Sequence, residues 1–340
     1  MIFASLIGTL LSAFFYLNVS WHITEWRWPS MPPLIHWHQS YTNHLVRLAS
    51  NRLFSGEPLC LVGQPIKYQS GAALPTAMPR LPVFKNATTT PLVIQVKSAY
   101  LLDRDTETEL YAQAATEPRP IASITKLMTA LVFLENNPGW NQVYEIIPAD
   151  RRDGGKIYFY SGDKVTIKDL FNVSLVASGN SETVALAHST GLSTIDFLEK
   201  MNRKAKDLGL EKTEFFDVVG LDVKNQSTAR ELAILVKTAM AHPEILKATS
   251  QDAYVLSTKQ GKRVSAVSTN QLLDGEKQTF TVLGGKTGHL EAAGYCFVGL
   301  FADKDGNQVI SVILGAGSED ARFTETKKLV NWGYENYQWP

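Results

Sequence analysis

The order of the predicted elements indicates an α+β domain, with strands at both ends of the folded region and helices between them. Short apolar runs bounded by turn residues predict the strands, and apolar residues at helical spacing predict the helices. The turn Asp303-Lys304-Asp305-Gly306-Asn307 separates two late strands, and an Asp-Gly turn favours antiparallel pairing. We therefore expect an antiparallel sheet assembled from both ends of the domain. The predicted strands are 92–96, 99–102, 109–111, 279–283, 294–302 and 308–314.

The middle of the domain is predicted to be helical. Ile124, Leu127, Met128 and Leu131 recur at the spacing of one helical face, so a helix is expected over 123–135. Thr166, with Asp169 three residues later, resembles the start of a capping box. Further helices are expected over 166–176, 181–188, 196–208, 228–241 and 320–337.

The N-terminal segment differs from the rest of the chain. No Asp, Glu, Lys or Arg occurs before Glu25, and a mostly apolar run of roughly 20 residues can cross a bilayer as one helix. Residues 1–24 are therefore predicted to be an N-terminal membrane anchor or a signal segment. The absence of Lys or Arg before the apolar run and of a small-x-small site after it weighs against cleavage. Residues 25–91 contain nine of the 15 prolines and are predicted to be a linker, with the folded domain at 92–340.

The composition excludes several classes of function. The 33 Lys and Arg residues balance the 33 Asp and Glu residues, so no basic surface for nucleic acid is expected. The hydrophobic fraction of 44% is enough for a packed core. Cys60 and Cys296 match no metal-ligand spacing, and no redox or zinc function follows from them.

The first of three candidate motifs is Ser123-Ile124-Thr125-Lys126, at the start of an apolar helix. A spacing of i, i+3 places the hydroxyl and the amine on one helical face, where a desolvated lysine can take the serine proton. The same pattern occurs at Ser161-Gly162-Asp163-Lys164, where a turn precedes the Thr166 cap and a solvated loop is expected. The motif is therefore weak on its own.

The second motif, Ser178-Gly179-Asn180, lies between two predicted helices. Such a loop can direct a hydroxyl and a carboxamide into a cleft, one to relay a proton and one to bind a substrate amide. Asn180 can equally be a plain helix cap, and the Ser-x-Asn pattern recurs at Ser268-Thr269-Asn270.

The third motif is the run from Gly284 to His289, which contains Lys286-Thr287-Gly288 at the end of a predicted strand. A phosphate-binding loop would need a glycine at the position of Phe280, so nucleotide binding is rejected. An amine, a hydroxyl and backbone N–H groups on a sheet edge suit an extended peptide that ends in a carboxylate.

In this order, the three motifs make the chain resemble the penicillin-binding serine peptidases, most closely the D-alanyl-D-alanine carboxypeptidases of low molecular mass (serine peptidase family S11). The similarity extends to the phrases 121–130, 176–187 and 286–295 and covers about residues 92–337. It implies a β-lactamase/transpeptidase-like (DD-peptidase) domain. In that fold an antiparallel sheet is flanked by helices, an all-helical subdomain lies beside it, and the cleft lies between the two.

The resemblance also implies the activity. The expected reaction is serine-type D-Ala-D-Ala carboxypeptidase action on peptidoglycan stem peptides, with β-lactams as covalent inhibitors and no metal or organic cofactor. The expected partners are the stem peptide and the membrane, and no nucleic acid partner is expected. The expected location is the extracytoplasmic face of the plasma membrane. The implied roles are nucleophile for Ser123, general base for Lys126, proton relay for Ser178, and substrate binding for Asn180, Lys286, Thr287, Gly288, His289 and Arg322.

Three alternatives remain open. A DD-endopeptidase acting on cross-links would use the same residues. A class A β-lactamase should carry Glu-x-x-Leu-Asn between the second and third motifs, whereas Glu199-Lys200-Met201-Asn202 is shorter and lies on a predicted helix. A non-catalytic envelope protein could keep the fold to bind peptidoglycan, although the intact motifs argue against it.

Overall fold

A computed structural model of the chain describes residues 81–85, 92–273 and 278–340. The predicted anchor or signal segment, residues 1–24, lies outside the described residues, and so does most of the predicted linker. Within the described part of the chain, none of the helices is both long and apolar enough to cross a membrane.

The central sheet takes its strands from both ends of the domain, as predicted. The strands are β1 (Val83–Phe84), β2 (Ser98–Asp103), β3 (Glu109–Gln113), β4 (Arg119–Pro120), β5 (Val143–Glu145), β6 (Lys164–Thr166), β7 (Gln226–Ser227), β8 (Ala253–Ser257), β9 (Arg263–Val267), β10 (Thr281–Leu290), β11 (Gly294–Ala302), β12 (Gln308–Ala316) and β13 (Tyr337–Gln338). Five of them form an antiparallel sheet in the order β10-β11-β12-β2-β3. The pairing of β12 with β2 joins the C-terminal strands to the N-terminal ones, and it leaves β10 at an edge.

Helices cover both faces of this sheet. They are α1 (Lys126–Glu135), α2 (Ile167–Val176), α3 (Asn180–His188), α4 (Thr194–Asp207), α5 (Ala229–Met240), α6 (Pro243–Thr249) and α7 (Glu319–Asn336). In β2, Tyr100 and Leu102 belong to one hydrophobic core, whereas Ala99 and Leu101 belong to the other. This alternation follows from the period of two in a strand. α7 packs on β11 and β12 at one face, α5 packs on the same strands at the other, and α1 to α4 contact one another as the helical subdomain.

Most predicted elements are confirmed, including the capping box, in which Thr166 Oγ1 accepts from the Asp169 N–H at 3.1 Å and Asp169 Oδ2 accepts from the Thr166 N–H at 3.0 Å. The strand predicted over 92–96 is wrong, because these residues pair with no strand in the part of the chain that the structure describes. Their apolar pattern instead packs an irregular segment on the core, with Ile94 buried.

Two boundaries differ in ways that affect the site. The helix predicted from Ser123 begins at Lys126, because residues Ala122–Thr125 form a 3-10 turn. The strand predicted over 279–283 continues to Leu290, so the Lys-Thr-Gly motif lies within an edge strand and not after it. At the other end, Val83–Phe84 pairs with Tyr337–Gln338, so these two residues of the predicted linker also belong to the folded unit.

Candidate active site

Ser123 is held in a strained turn at the start of α1. The preceding residue, Ala122, has a φ of +47°, in the left-handed region that residues with side chains rarely adopt. Gly220 packs so closely on this turn that a Cβ there would lie 1.9 Å from the Ala122 carbonyl oxygen. The loop around Gly220 therefore packs directly against the turn that carries Ser123.

Lys126 lies one helical turn after Ser123 and is completely buried. Its Nζ donates hydrogen bonds to Ser123 Oγ at 2.7 Å, to Asn180 Oδ1 at 2.9 Å and to the Val219 carbonyl at 3.1 Å. Burial lowers the pKa of Lys126 to about 7, although the carboxylates of Asp217 and Glu182 oppose this shift. A substantial fraction of the amine is therefore neutral at neutral pH and can accept the Ser123 proton.

Ser178 occupies the loop between α2 and α3. Its φ is +56°, a second left-handed residue in this region. Ser178 Oγ accepts a hydrogen bond from Lys286 Nζ at 2.7 Å. Asn180 is the first residue of α3, and its Nδ2 donates to the carbonyl oxygens of Asp153 at 3.1 Å and Gly154 at 2.7 Å. The second motif thus contacts Lys126 of the first motif and Lys286 of the third.

Lys286 is buried on β10, with 1% of the residue exposed. Its Nζ also donates to the Thr287 carbonyl at 3.0 Å. Burial holds the pKa of Lys286 well below its usual value, and the positive charges of Lys126 and Arg322 lower it further. Arg322, whose guanidinium stays charged, gives the site a positive potential that favours an anionic ligand group.

The remaining residues of the third motif form the edge of the sheet beside Ser123. Thr287 Oγ1 lies 2.6 Å from Thr269 Oγ1, and either hydroxyl can be the donor. A Cβ at Gly288 would lie 2.8 Å from the Ile121 carbonyl oxygen, so glycine allows β10 to approach the serine turn. The His289 ring stacks on Tyr295, its partner on β11, with ring centroids 4.0 Å apart.

Arg322 enters the site from the first turn of α7. It is 3% exposed, and its guanidinium donates to Glu319 Oε1 at 2.5 Å and to the Gly288 carbonyl at 3.5 Å. Its Nε is buried without a hydrogen-bond partner among the described residues. The guanidinium also lies over the Tyr295 and Phe323 rings, at 5.6 and 4.7 Å from their centroids. This packing orients a cation towards the Lys-Thr-Gly strand.

An open cavity of about 650 Å³ joins these groups. The predicted site residues that line it are Ser123, Ser178, Asn180, Thr287, Gly288, His289 and Arg322. Lys126 and Lys286 lie behind this surface, each within 2.7 Å of a serine that lines it. The fold thus brings together all nine residues that the sequence singled out.

Sequence reasoning missed several residues of the cavity wall. Thr269 lines the cavity and contacts Thr287, although its Ser-x-Asn context at 268–270 served only as an example of a chance match. Tyr158 and Leu221 line the wall from loops without a recognisable motif. A polar run at the start of α3, Asn180-Ser181-Glu182, was the available signal that this turn binds another segment.

Comparison with known proteins decides the family. The family profile described as D-alanyl-D-alanine carboxypeptidase (peptidase S11) matches residues 85–318. The chain belongs to this family. The match includes the three motifs, whereas Arg322 lies just beyond its end.

Curated relatives of the family carry two kinds of name. D-alanyl-D-alanine carboxypeptidase DacF of Bacillus subtilis is 31% identical over 74% of this chain, and the chain spans 65% of that protein's length. The D-alanyl-D-alanine carboxypeptidase of Streptomyces sp. strain K15 is 31% identical, with 73% of this chain and 90% of the relative covered. A D-alanyl-D-alanine endopeptidase of Haemophilus influenzae is 34% identical, with 66% of this chain and 77% of the relative covered.

Solved structures of the family share the fold. The DD-transpeptidase of Streptomyces strain K15 has a TM-score of 0.67 at 30% identity. The matched region spans 73% of this chain and 100% of the transpeptidase chain. Penicillin-binding protein D2 of Listeria monocytogenes, in its ampicillin-bound form, has a TM-score of 0.62 at 34% identity. The matched region spans 72% of this chain and 100% of that chain. The β-lactamase/transpeptidase-like fold is confirmed.

Proposed function

We propose that this chain is a serine-type D-Ala-D-Ala carboxypeptidase that acts on peptidoglycan stem peptides through an acyl-enzyme on Ser123. The observation that carries the proposal is the contact of 2.7 Å between Lys126 Nζ and Ser123 Oγ, at the wall of an open cavity. A buried amine with a pKa of about 7 is suited to take a serine proton at neutral pH. The chain's relatives with carboxypeptidase names support the same reaction.

In the acylation step, Ser123 Oγ attacks the carbonyl carbon of the penultimate D-alanine while Lys126 takes the hydroxyl proton. The backbone N–H groups of Ser123 and His289 are proposed to stabilise the oxyanion, a contribution that is often the largest in acyl transfer. The C–N bond then breaks, and the leaving D-alanine nitrogen receives a proton through Ser178. The contact of 2.7 Å from Lys286 to Ser178 orients this hydroxyl.

The substrate carboxylate is proposed to bind at the other end of the cavity. Thr287 offers a hydroxyl there, and the guanidinium of Arg322 supplies positive charge. Asn180 is proposed to hold a peptide amide. In the second half of the reaction, water attacks the acyl carbon, the ester bond to Ser123 breaks, and the serine recovers its proton.

A DD-endopeptidase reaction is the second candidate, because a relative with that name is 34% identical to this chain, and the chain spans 77% of its length. The two reactions share the acylation chemistry and differ in the leaving group, which is free D-alanine in one case and a cross-linked peptide in the other.

Two measurements test the proposal. The full chain should take up a fluorescent penicillin, and a Ser123→Ala variant should not. The wild-type protein should also release D-alanine from a pentapeptide that ends in D-Ala-D-Ala. Equal labelling of the Ser123→Ala variant would refute the assignment, whereas labelling without D-alanine release but with cleavage of cross-linked dimers would establish the endopeptidase.

The cellular location proposed here follows from the substrate. Peptidoglycan stem peptides are extracytoplasmic, and residues 1–24 are proposed to anchor the enzyme to the outer face of the plasma membrane. External protease should then degrade the domain in spheroplasts while cytoplasmic proteins stay intact. Survival of the domain until lysis would contradict this orientation.

A further inference from the structure

Asn180, the residue proposed to hold a substrate amide, has no free donor in this structure. Its Nδ2 carries two hydrogens, and they bond to the carbonyl oxygens of Asp153 and Gly154 at 3.1 and 2.7 Å. Its Oδ1 accepts from Lys126 Nζ at 2.9 Å. A substrate carbonyl can therefore reach Asn180 Nδ2 only if one of these two contacts breaks.

Both carbonyls belong to one short segment at the rim of the cavity, residues 152–158, which we name the gating segment. Among the described residues, the backbone hydrogen bonds of positions 153–157 are the two from Asn180. The ends of the segment are fixed by the next two residues of α3. Ser181 Oγ accepts from the Arg152 N–H at 3.0 Å and lies 3.3 Å from the Arg152 carbonyl, and Glu182 Oε1 accepts from the Tyr158 N–H at 3.2 Å.

The middle of the gating segment has few contacts that would oppose a change of conformation. Gly154 and Gly155 have φ values of +83° and +78°, which glycine adopts without penalty. Residues 153–156 are exposed, and nothing lies within 4 Å of a Cβ placed on Gly155. Tyr158, in contrast, is buried and is anchored by Glu182. The exposed part can therefore withdraw while its ends stay attached.

We propose that the gating segment competes with the substrate for Asn180 and must withdraw before the substrate amide binds. Ser181 and Glu182 are the positioning residues that hold the segment closed. This proposal rests on the proposed function, because the role of Asn180 as the group that binds the substrate amide is part of that function. The proposal adds a step before acylation, the withdrawal of the gating segment. The rate of this step depends on how strongly Ser181 and Glu182 hold the segment.

Two substitutions loosen the closed segment without touching the proposed catalytic groups. Ser181→Ala removes the side-chain contacts to Arg152. Since one hydrogen bond changes an equilibrium by about 2- to 10-fold, acylation should accelerate by up to that factor. Gly155→Ala places a side chain at a φ of +78°, which disfavours the closed segment about 5- to 30-fold.

The measurement is the second-order rate of acylation of the full chain by two β-lactams. Benzylpenicillin carries a side-chain amide that can bind Asn180, whereas 6-aminopenicillanic acid has no side-chain carbonyl. Both variants should react faster than wild type with benzylpenicillin and at the wild-type rate with 6-aminopenicillanic acid. Gly162→Ala is the matched control, because its φ of +93° imposes the same kind of strain in a turn whose glycine does not line the cavity.

The outcomes separate gating from a structural role. If the segment only orients Asn180, both variants will react more slowly with benzylpenicillin, and the proposal is overturned. Equal acceleration with both β-lactams would also overturn it, because the effect would not pass through Asn180. A wild-type protein that is labelled at Ser123 leaves the proposed function standing in either case, whereas an unlabelled one refutes both proposals.

Discussion

The charge state of Lys126 gives the most demanding prediction. With a pKa of about 7, roughly half of the Lys126 amines are neutral at pH 7, whereas an unperturbed lysine would be neutral in only about one molecule in 3,000. Only the neutral amine can take the Ser123 proton. The acylation rate should therefore fall about tenfold per pH unit below pH 7 and level off above it.

The direction of this dependence follows from the cause of the shift. Burial disfavours the charged amine, so protonation below pH 7 is what removes the base. A Lys126→Arg variant tests the same point by substitution, because a guanidinium does not deprotonate in proteins. Loss of a general base lowers the rate by about 10²- to 10⁴-fold, and Lys126→Arg should lose at least this much at every pH.

The assay is stopped-flow or gel-based acylation by a fluorescent penicillin between pH 5 and pH 10, with circular dichroism to confirm that the fold is retained. Lys164→Arg is the matched control, since Lys164 belongs to the second Ser-x-x-Lys match but is exposed on β6. A rate that still rises tenfold per unit above pH 8, or a Lys126→Arg variant within tenfold of wild type, would show that Lys126 is not the base.

Three further predictions concern the site and its support. Gly220→Ala should lose about 2–5 kcal/mol of unfolding free energy in urea, because left-handed strain adds to a clash with the Ala122 carbonyl. Arg322→Gln should lower kcat/KM for D-alanine release by about 10- to 150-fold, through the lost charged contact to the substrate carboxylate, as measured on a D-Ala-D-Ala peptide. Thr166→Ala should lose about 0.5–2 kcal/mol in thermal or urea unfolding, because it removes the cap of α2, while penicillin labelling stays at the wild-type rate.

Each of these has a result that would contradict it. Gly191→Ala has similar backbone strain but open space around its Cβ, so equal losses at positions 191 and 220 would show that the clash does not matter. A peptide with an amidated C-terminus should be insensitive to Arg322→Gln, and an equal loss would place the carboxylate elsewhere. Slower labelling of Thr166→Ala would mean that the α2 cap supports the site directly.

The elements with strong local signals could be predicted from the sequence. The strand over 294–302 and the cap at Thr166 occur as predicted, because an apolar run bounded by turn residues and capping chemistry are local signals. The strand predicted over 92–96 failed because the same apolar run also suits an irregular segment packed on a core. Burial alone does not distinguish the two.

The candidate residues could be predicted from the sequence, because three weak motifs occur in one order. The geometry of these residues could not be predicted. The strained turn at Ala122 packs against a loop that is distant in sequence, the one around Gly220. The occupation of Asn180 by the carbonyls of Asp153 and Gly154 involves backbone atoms, which leave no signature in residue type. Contacts of this kind require the three-dimensional structure.

Ser123 is proposed to be the nucleophile that forms an acyl-enzyme. Intact-protein mass spectrometry after incubation with benzylpenicillin, followed by peptide mapping, tests this role. The protein should gain the mass of one penicillin, and the adduct should lie on Ser123 in the 121–130 segment. An adduct on Ser178 or on any other residue, or no adduct at all in the folded full chain, would contradict it.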